Sequence, residues 1–382
     1  MNNIFSHSLD GIEISWFAPL CDGDDDFLGN RNPAYKSSWQ NTASIVKIAD
    51  KLGYRNVLCP SSYQVGQDTL SFVASMAPLT QQINFLAAIR CGEIHPPMLA
   101  RTIATLDHML KGRLTLNIIS SDLPGTELNS SDRYQRSREV IKILKQAWTQ
   151  DQIDFKGKFY QFKLNCRPVK PYQENGGPLL YFGGYSEAGL NLCAEYCDVY
   201  LMWPESEEKL KHLISKMTQK SNFYNRSVQF GLRVHVVVRE TENEARKYAD
   251  GLLSKLDLKL GEDIRNRAQD SKSLGVARQI QLRKESDNEF YIEPNLWTGI
   301  GLARSGCGAA IVGDPDQVIA KLKRYVDIGI NSFILSGYPH KQECEIFAKL
   351  VLPKIKTISL PKAFGRIPKT TPESPLGNGD RI

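Results

Sequence analysis

Two polar residues interrupt an otherwise apolar stretch, GLRVHVVVRET, at residues 231–241. Its valines favour a β-strand, and Arg233 and His235 lie two positions apart within it. Side chains at positions i and i+2 of a strand point to the same face, so both polar groups are directed to one place. Arginine binds oxyanions, and histidine donates hydrogen bonds or moves protons. The pair therefore predicts a site for an anion or for developing negative charge.

Other candidates lie at the ends of later predicted strands. Arg304 comes after the apolar stretch LWTGIGLA, and Tyr338 and His340 close the stretch LSGYPH. Each residue alone also has a structural interpretation, because a single histidine inside a barrel is more often a core residue with its hydrogen bonds satisfied. Two arginines, a histidine and a tyrosine that converge on one site favour an anionic small-molecule substrate.

A glycine-rich turn indicates a second kind of binding. The stretch FGGYSEAG places Gly184, Tyr185 and Ser186 at the start of a predicted helix. Small residues allow close approach, and the N–H groups of a helix start carry partial positive charge, so the turn suits a phosphate. The same turn, capped by Ser186, is also an ordinary helix start.

The sequence lacks the HExxH, GxSxG and Walker A motifs, and its eight cysteines include no CxxC pair. The acidic residues between 22 and 26, which follow Cys21, are typical of a solvated loop, so no metal site is predicted. A site without a metal or a strong nucleophile of its own indicates a cofactor that carries out the difficult chemistry.

Eight short apolar segments must position these residues. They are predicted strands at residues 12–18, 55–60, 83–90, 114–120, 178–184, 198–203, 228–238 and 332–338. Amphipathic helical patterns lie between them, among them residues 39–53, 96–110, 132–148, 207–221 and 315–329. This alternation predicts an α/β protein with a (β/α)8 TIM barrel, whose active site lies at the carboxyl ends of the strands. A doubly wound open sheet is the alternative, but no GxGxxG follows the first strand.

One barrel domain is predicted for residues 1–358, with two insertions. Residues 151–175 have the pattern of a small β-hairpin, and residues 255–295 form a long charged segment that is either a mobile lid or a variable excursion. Residues 359–382 are rich in proline and glycine and are predicted to be an extended tail.

Composition limits the partners and the location of the protein. The 382 residues include 48 Lys and Arg against 42 Asp and Glu, mostly interleaved, so no nucleic-acid partner is expected. The polar N-terminus has no signal-peptide pattern, and no run approaches the ~18 apolar residues of a membrane span. The sequence predicts a cytoplasmic protein without a membrane partner.

Longer stretches, in order along the chain, resemble a known family. The most specific are GLRVHVVVRET, EPNLWTGIGLARSGCGAAIVGD and NSFILSGYPH, supported by IDFKGKFY and LYFGGYSEAG. Over roughly residues 12–358 the chain resembles the bacterial luciferase-like flavin monooxygenases, and within them the two-component FMNH2-dependent alkanesulfonate monooxygenases. The resemblance implies a barrel that receives reduced FMN from a separate NAD(P)H flavin reductase and uses O2. The reaction implied is cleavage of the carbon–sulfur bond of an organosulfonate to sulfite and an aldehyde.

The resemblance also implies roles for individual residues. Arg233 and Arg304 hold the sulfonate or stabilise a developing anion, while His235 and Tyr338 donate hydrogen bonds or move protons. The cofactor-binding positions are Gly184, Tyr185, Ser186, Tyr134 and Cys21. The segment 255–295 corresponds to a mobile loop that excludes water.

Two departures from the family pattern leave the substrate open. The sulfonate enzymes carry a histidine where this chain has Cys21, and a cysteine within the stretch that here reads SSYQVGQ. The alternatives are oxygenation of another small or biosynthetic substrate, a deazaflavin-dependent dehydrogenase, and a non-catalytic flavin-binding protein. The family habit and the proline-rich tail predict a homo-oligomer, a dimer or a tetramer.

Overall fold

The structure is a computed structural model that describes residues 9–21, 23–257, 259, 261, 274–304 and 306–372. Within these ranges the strands are β1 (Glu13–Phe17), β2 (Asn56–Cys59), β3 (Asn84–Arg90), β4 (Leu114–Ile119), β5 (Gln152–Lys156), β6 (Gln161–Asn165), β7 (Leu180–Gly183), β8 (Val199–Met202), β9 (Gln229–Val238), β10 (Tyr291–Glu293), β11 (Leu296–Trp297), β12 (Ala310–Gly313) and β13 (Ile330–Ser336). The α-helices are α1 (Trp39–Leu52), α2 (Thr69–Met76), α3 (Pro96–Met109), α4 (Ser130–Thr149), α5 (Glu187–Tyr196), α6 (Glu207–Phe223), α7 (Glu242–Leu253), α8 (Leu274–Lys284), α9 (Pro315–Asp327), α10 (His340–Leu350) and α11 (Leu360–Ala363).

Parallel strands close into a barrel in the order β1, β2, β3, β4, β7, β8, β9 and β13. Pairing of Ile14 with Phe333 joins β1 to β13, and pairing of Tyr200 with Phe230 joins β8 to β9, which completes the ring. The predicted (β/α)8 TIM barrel is confirmed, and its eight strands are the eight segments that the sequence indicates.

Alternate side chains of each strand face the helices and the barrel interior. On β9, Leu232, Val234 and Val236 pack in the apolar core beneath the helices. Arg233 and His235 face the other way, into the barrel, where both contact β13. Their common direction is the one that the spacing predicts.

Strand β9 is ten residues long and extends beyond its neighbours in the barrel. Its first residues pair with β8, and the segment from His235 to Val238 pairs in parallel with β12. Strand β12 is not predicted from the sequence, because its four residues AIVG are too short to give a strand pattern of their own. Strands β11 and β10 continue this side sheet antiparallel to β12, outside the barrel.

Both predicted insertions lie outside the eight strands of the barrel. The first is a β-hairpin, as expected, in which β5 and β6 pair from Gln152–Asn165 to Lys156–Gln161. The second segment, 255–295, falls partly on residues outside the described ranges, namely 258, 260 and 262–273. Its described part contains helix α8, which packs on the carboxyl end of the barrel, called the mouth below.

The tail is not extended in its described part, residues 359–372. Helix α11 begins at Leu360, whose side chain is fully buried with apolar residues of the barrel interior. Arg366 then pairs with Asp198, 3.5 Å apart, just before β8. Leu360 and Arg366 therefore close the amino end of the barrel, and residues 373–382 lie outside the described ranges.

In the described part of the chain, no helix has the length and apolar character to cross a membrane.

Candidate active site

The side chains of Arg233 and His235 meet at a third residue, Ser336, the last residue of β13. The Ser336 hydroxyl lies 2.7 Å from a guanidinium nitrogen of Arg233 and 2.7 Å from Nδ1 of His235. Because a guanidinium only donates, the Ser336 oxygen accepts from Arg233, and its own hydrogen is available to Nδ1. The pairing of β13 with β9 places Ser336 directly opposite His235, which fixes the contact.

His235 is neutral in this arrangement. Its Nε2 lies 3.2 Å from the carbonyl oxygen of Cys307, which only accepts, so Nε2 carries the hydrogen. Burial lowers the pKa of His235 well below its ordinary value, and the positive charge of Arg233 lowers it further. Both ring nitrogens are therefore engaged, and the ring holds Ser336 and, through it, Arg233.

Among the described residues, no carboxylate lies beside the buried positive charge of Arg233. Its side chain is 8% exposed and donates to the carbonyls of Val234 (3.1 Å) and Ile334 (3.3 Å) as well as to Ser336. The guanidinium also lies over the Phe17 ring, 4.7 Å from its centre. The titratable groups that act on it within the described ranges are the Cys307 thiol and the Tyr338 hydroxyl, and both are uncharged at neutral pH because burial raises their pKa values. A buried charge without a counter-ion is costly, so this site is suited to an anion.

Arg304 and Tyr338 form the other side of the site. Arg304 donates to the carbonyl of Gly23 at 2.7 Å, and the same nitrogen lies 3.2 Å from the Asp25 carboxylate. Its guanidinium stands 5.1 Å from the centre of the Tyr338 ring, which in turn stacks on His235 at 5.2 Å. Burial raises the pKa of Tyr338, so its hydroxyl remains a donor. The four residues that the sequence assigns to catalysis therefore lie together.

The acidic loop after β1 is not solvated, contrary to the sequence prediction. Asp24 is 1% exposed and Asp25 is 4% exposed. Asp25 pairs with Arg304, and Asp24 accepts from the backbone N–H of His340 at 2.8 Å. These partners lie 279 and 316 residues further along the chain, so no local pattern in the sequence indicates them.

A second cluster lies at the carboxyl end of β7. The Ser186 hydroxyl caps α5 by accepting from the N–H of Gly189 at 3.2 Å, and it donates to the Tyr134 hydroxyl at 2.9 Å. Gly184 has no room for a side chain, because an added Cβ would lie 2.9 Å from the Phe182 ring. The structure therefore brings Tyr134, Gly184 and Ser186 together, as the sequence predicts.

One further hydroxyl at this turn was not found from the sequence. Strands β4 and β7 pair with Ile118 opposite Phe182, and continuing this register places Ser120 beside Gly184. The Ser120 hydroxyl is buried and has no hydrogen-bond partner within the described ranges. A buried hydroxyl left unpaired is unfavourable, and a phosphate oxygen would satisfy it. These residues fit the phosphate of a flavin mononucleotide.

The side chain of Tyr185 faces the second insertion and not the phosphate turn. Its hydroxyl accepts from the backbone N–H of Trp203 at 2.7 Å, and burial raises its pKa. Arg278 of α8 lies over the Tyr185 ring, 4.8 Å from its centre, and donates to Glu205 at 2.8 Å. The described part of the second insertion thus contacts the turn through Tyr185.

Cys21 is half-buried, whereas the other seven cysteines are buried. Burial raises the pKa of its thiol to about 12, and the charge of Arg90 offsets only part of that effect. Cys59 also interacts electrostatically with Cys21, so the thiol lies near the ends of β2 and β3. Because the thiol is neutral at ordinary pH, Cys21 does not supply the proton transfer that a histidine would.

Comparison with known proteins decides the family. Residues 13–332 match the family model described as luciferase-like monooxygenase. The chain belongs to this family. It is therefore a flavin monooxygenase, and the resemblance seen in the sequence is confirmed.

Two relatives extend over nearly the whole chain. A sulfoquinovose monooxygenase of Agrobacterium fabrum is 59% identical over 379 residues, covering 99% of this chain and 98% of that protein. A sulfoquinovose monooxygenase of Novosphingobium aromaticivorans is 50% identical over 351 residues, covering 90% and 96%. Among solved structures, a long-chain alkane monooxygenase has a TM-score of 0.75 at 18% identity, covering 97% of each chain, which supports the fold alone.

Proposed function

We propose that this luciferase-like monooxygenase uses reduced FMN and O2 to cleave the carbon–sulfur bond of sulfoquinovose, a sugar sulfonate. The products would be sulfite and an aldehyde. The observation that carries the proposal is the buried charge of Arg233 at the barrel mouth, which has no carboxylate partner in the described part of the chain, in a protein 59% identical to a sulfoquinovose monooxygenase. This substrate is narrower than the organosulfonate that the sequence predicts.

Arg233 is suited to bind the sulfonate group and to stabilise the sulfite that leaves. Its guanidinium is oriented by Ser336 and by two carbonyls, so it does not need to reorganise when the anion arrives. A preorganised donor in a site without water stabilises developing negative charge more strongly than water does. Arg304 lies across the Tyr338 ring, and its pairing with Asp25 leaves it a weaker anion site than Arg233.

The turn between β7 and α5 is suited to hold the cofactor. Ser186 and Tyr134 present hydroxyls, Ser120 presents a third, and Gly184 permits close approach of a phosphate. Reduced FMN, when bound, supplies the electrons that activate O2. The side chains of the mouth bind the substrate, and the Tyr338 hydroxyl donates a hydrogen bond there because its raised pKa keeps it protonated.

Two partners follow from this function and remain predictions. Reduced FMN would come from a separate NAD(P)H flavin reductase, as the resemblance to the two-component monooxygenases implies. A homo-oligomer, dimer or tetramer, is expected from the family habit. Light scattering on the purified chain would measure the mass, and a monomer at all concentrations would contradict it.

Sulfite release tests the function. The protein would be supplied with FMN, a generic flavin reductase, NADH and O2, and offered sulfoquinovose or a panel of straight-chain alkanesulfonates. We expect sulfite from sulfoquinovose at a higher kcat/KM than from any alkanesulfonate. Arg233→Lys should lose most of the activity while Arg324→Lys, a change at a partly exposed arginine paired with Glu207, should retain it. FMN binding without sulfite from any sulfonate would leave a flavin monooxygenase with another substrate.

A further inference from the structure

Gln279 is a buried residue of helix α8, and the roles above leave it unused. It is 5% exposed, although α8 belongs to the second insertion. Its side-chain nitrogen donates to the carbonyl of Pro204 at 2.8 Å, and its side-chain oxygen accepts from the backbone N–H of Gly308 at 3.0 Å. Gln279 therefore links the end of β8 to the segment that precedes β12.

The peptide group between Cys307 and Gly308 extends this link to the active site. Its N–H, that of Gly308, donates to Gln279, and its carbonyl, that of Cys307, lies 3.2 Å from Nε2 of His235. A peptide group is planar and trans, so its N–H and its carbonyl point in opposite directions and can only turn together. The Gln279 oxygen therefore fixes the direction of the carbonyl that accepts from His235.

The direction of that carbonyl determines which nitrogen of His235 carries the hydrogen. A carbonyl at Nε2 keeps the hydrogen there, so Nδ1 is left to accept from the Ser336 hydroxyl at 2.7 Å. The Ser336 oxygen in turn accepts from Arg233. In the other neutral tautomer Nδ1 would donate to Ser336, whose own hydrogen would then need another acceptor. One tautomer of His235 therefore matches the observed support of Arg233.

We propose that Gln279 is a positioning residue for Arg233, acting through the Cys307–Gly308 peptide and the tautomer of His235. The inference rests on the proposed function, because the binding of the sulfonate by Arg233 is part of that function. It also gives the second insertion a defined part in the reaction, since the contacts that orient Arg233 include one that α8 supplies.

Helix α8 has other anchors, so a change at Gln279 should not release it. Arg278 donates to Glu205 at 2.8 Å and lies over the Tyr185 ring, 4.8 Å from its centre. Leu282 is buried in the core beneath the helix. The two hydrogen bonds of Gln279 can therefore be removed while α8 stays in place.

Substitutions of similar size test the role. Gln279→Met keeps the length of the side chain and loses both hydrogen bonds, whereas Gln279→Glu keeps an oxygen that accepts from Gly308. Gln281→Met, at an exposed glutamine of the same helix, is the matched control. We expect Gln279→Met to lower kcat/KM for sulfoquinovose about 10-fold at unchanged FMN affinity, the usual effect of losing a hydrogen bond that orients a charged group. Gln279→Glu should recover part of that loss, and Gln281→Met should match the wild type.

The imidazole 15N shifts of His235 provide a readout that a merely structural role would not change. The wild type, Gln281→Met and Gln279→Glu should show hydrogen on Nε2 alone, and Gln279→Met should show a mixture of the two neutral tautomers. This measurement needs neither FMN nor a sulfonate. An unchanged tautomer in Gln279→Met would overturn the proposal, whatever the activity. A changed tautomer in a protein whose wild type releases no sulfite would instead refute the proposed function and retain the positioning of His235.

Discussion

The hydroxyl of Ser336 stands between Arg233 and His235, 2.7 Å from each. The neutral imidazole of His235 therefore orients the Arg233 guanidinium indirectly, because it accepts from the Ser336 hydroxyl, whose oxygen accepts from Arg233. The proton-transfer role that the sequence assigns to His235 remains a prediction. In the structure, its Nε2 donates to the carbonyl of Cys307.

Removing this hydroxyl should loosen Arg233 without unfolding the barrel. In Ser336→Ala we expect kcat/KM for the sulfonate to fall about 10-fold, since one hydrogen bond that positions a charged group is lost. Steady-state sulfite release would measure it. Ser44→Ala, which removes a hydroxyl bonded to its own helix, is the control and should leave kcat/KM unchanged. Equal activity in Ser336→Ala would show that the two carbonyl contacts suffice to orient Arg233.

The phosphate turn should be sensitive to one methyl group. In Gly184→Ala the added Cβ would lie 2.9 Å from the buried Phe182 ring, so the ring or the turn must shift. We expect FMN affinity to fall about 10-fold or more, measured by flavin fluorescence quenching. Gly251→Ala, where an added Cβ meets nothing within 4 Å, is the matched control. Unchanged affinity in Gly184→Ala would place the phosphate elsewhere.

The barrel could be predicted because its signals are local. Each strand is a short apolar run, and each helix has an apolar face and a cap within a few residues, as in α1, which Ser38 caps and Gly53 ends. The site could be predicted where a local pattern indicated it, as for Arg233 and His235 on one face of a strand and for the glycine turn at Gly184. Ser336, Ser120 and Asp24 were missed, because their roles depend on strand register or on partners hundreds of residues away.

The C-terminal tail is a segment whose structure differs from the one that its composition predicts. Its proline and glycine content predicts an extended chain, yet Leu360 and Arg366 dock on the amino end of the barrel. Composition predicts only the local conformation of a segment, whereas the position of this tail is set by contacts of Leu360 with apolar residues of the barrel interior. Long-range burial of this kind has no signature in the segment itself.

The docked tail should contribute measurably to stability. Leu360 is fully buried, and a buried Leu→Ala change costs about 2–5 kcal/mol, because it removes apolar contacts and leaves a cavity. We expect Leu360→Ala to lower the free energy of unfolding by about 2–4 kcal/mol in urea titrations. Leu274→Ala, at a leucine that is 57% exposed, should change it by less than about 0.5 kcal/mol. A small effect at Leu360 would mean that the barrel end is closed without the tail.

Cys21 should react slowly with alkylating reagents, and the rate should rise steeply with pH. Only the thiolate reacts, and burial raises the pKa of Cys21 to about 12 from an ordinary value of 9.0. Below its pKa the thiol is neutral, so at pH 8 the thiolate fraction is about 1000-fold smaller than that of a free cysteine. We expect iodoacetamide labelling, followed by peptide mass spectrometry, to modify Cys21 about 1000-fold more slowly than glutathione, with a tenfold gain in rate per pH unit up to pH 10. Labelling at the rate of glutathione, or a plateau below pH 10, would mean that Arg90 stabilises the thiolate more than burial opposes it. Cys21 could then act as an acid or base at the mouth, in the place where the sulfonate enzymes carry a histidine.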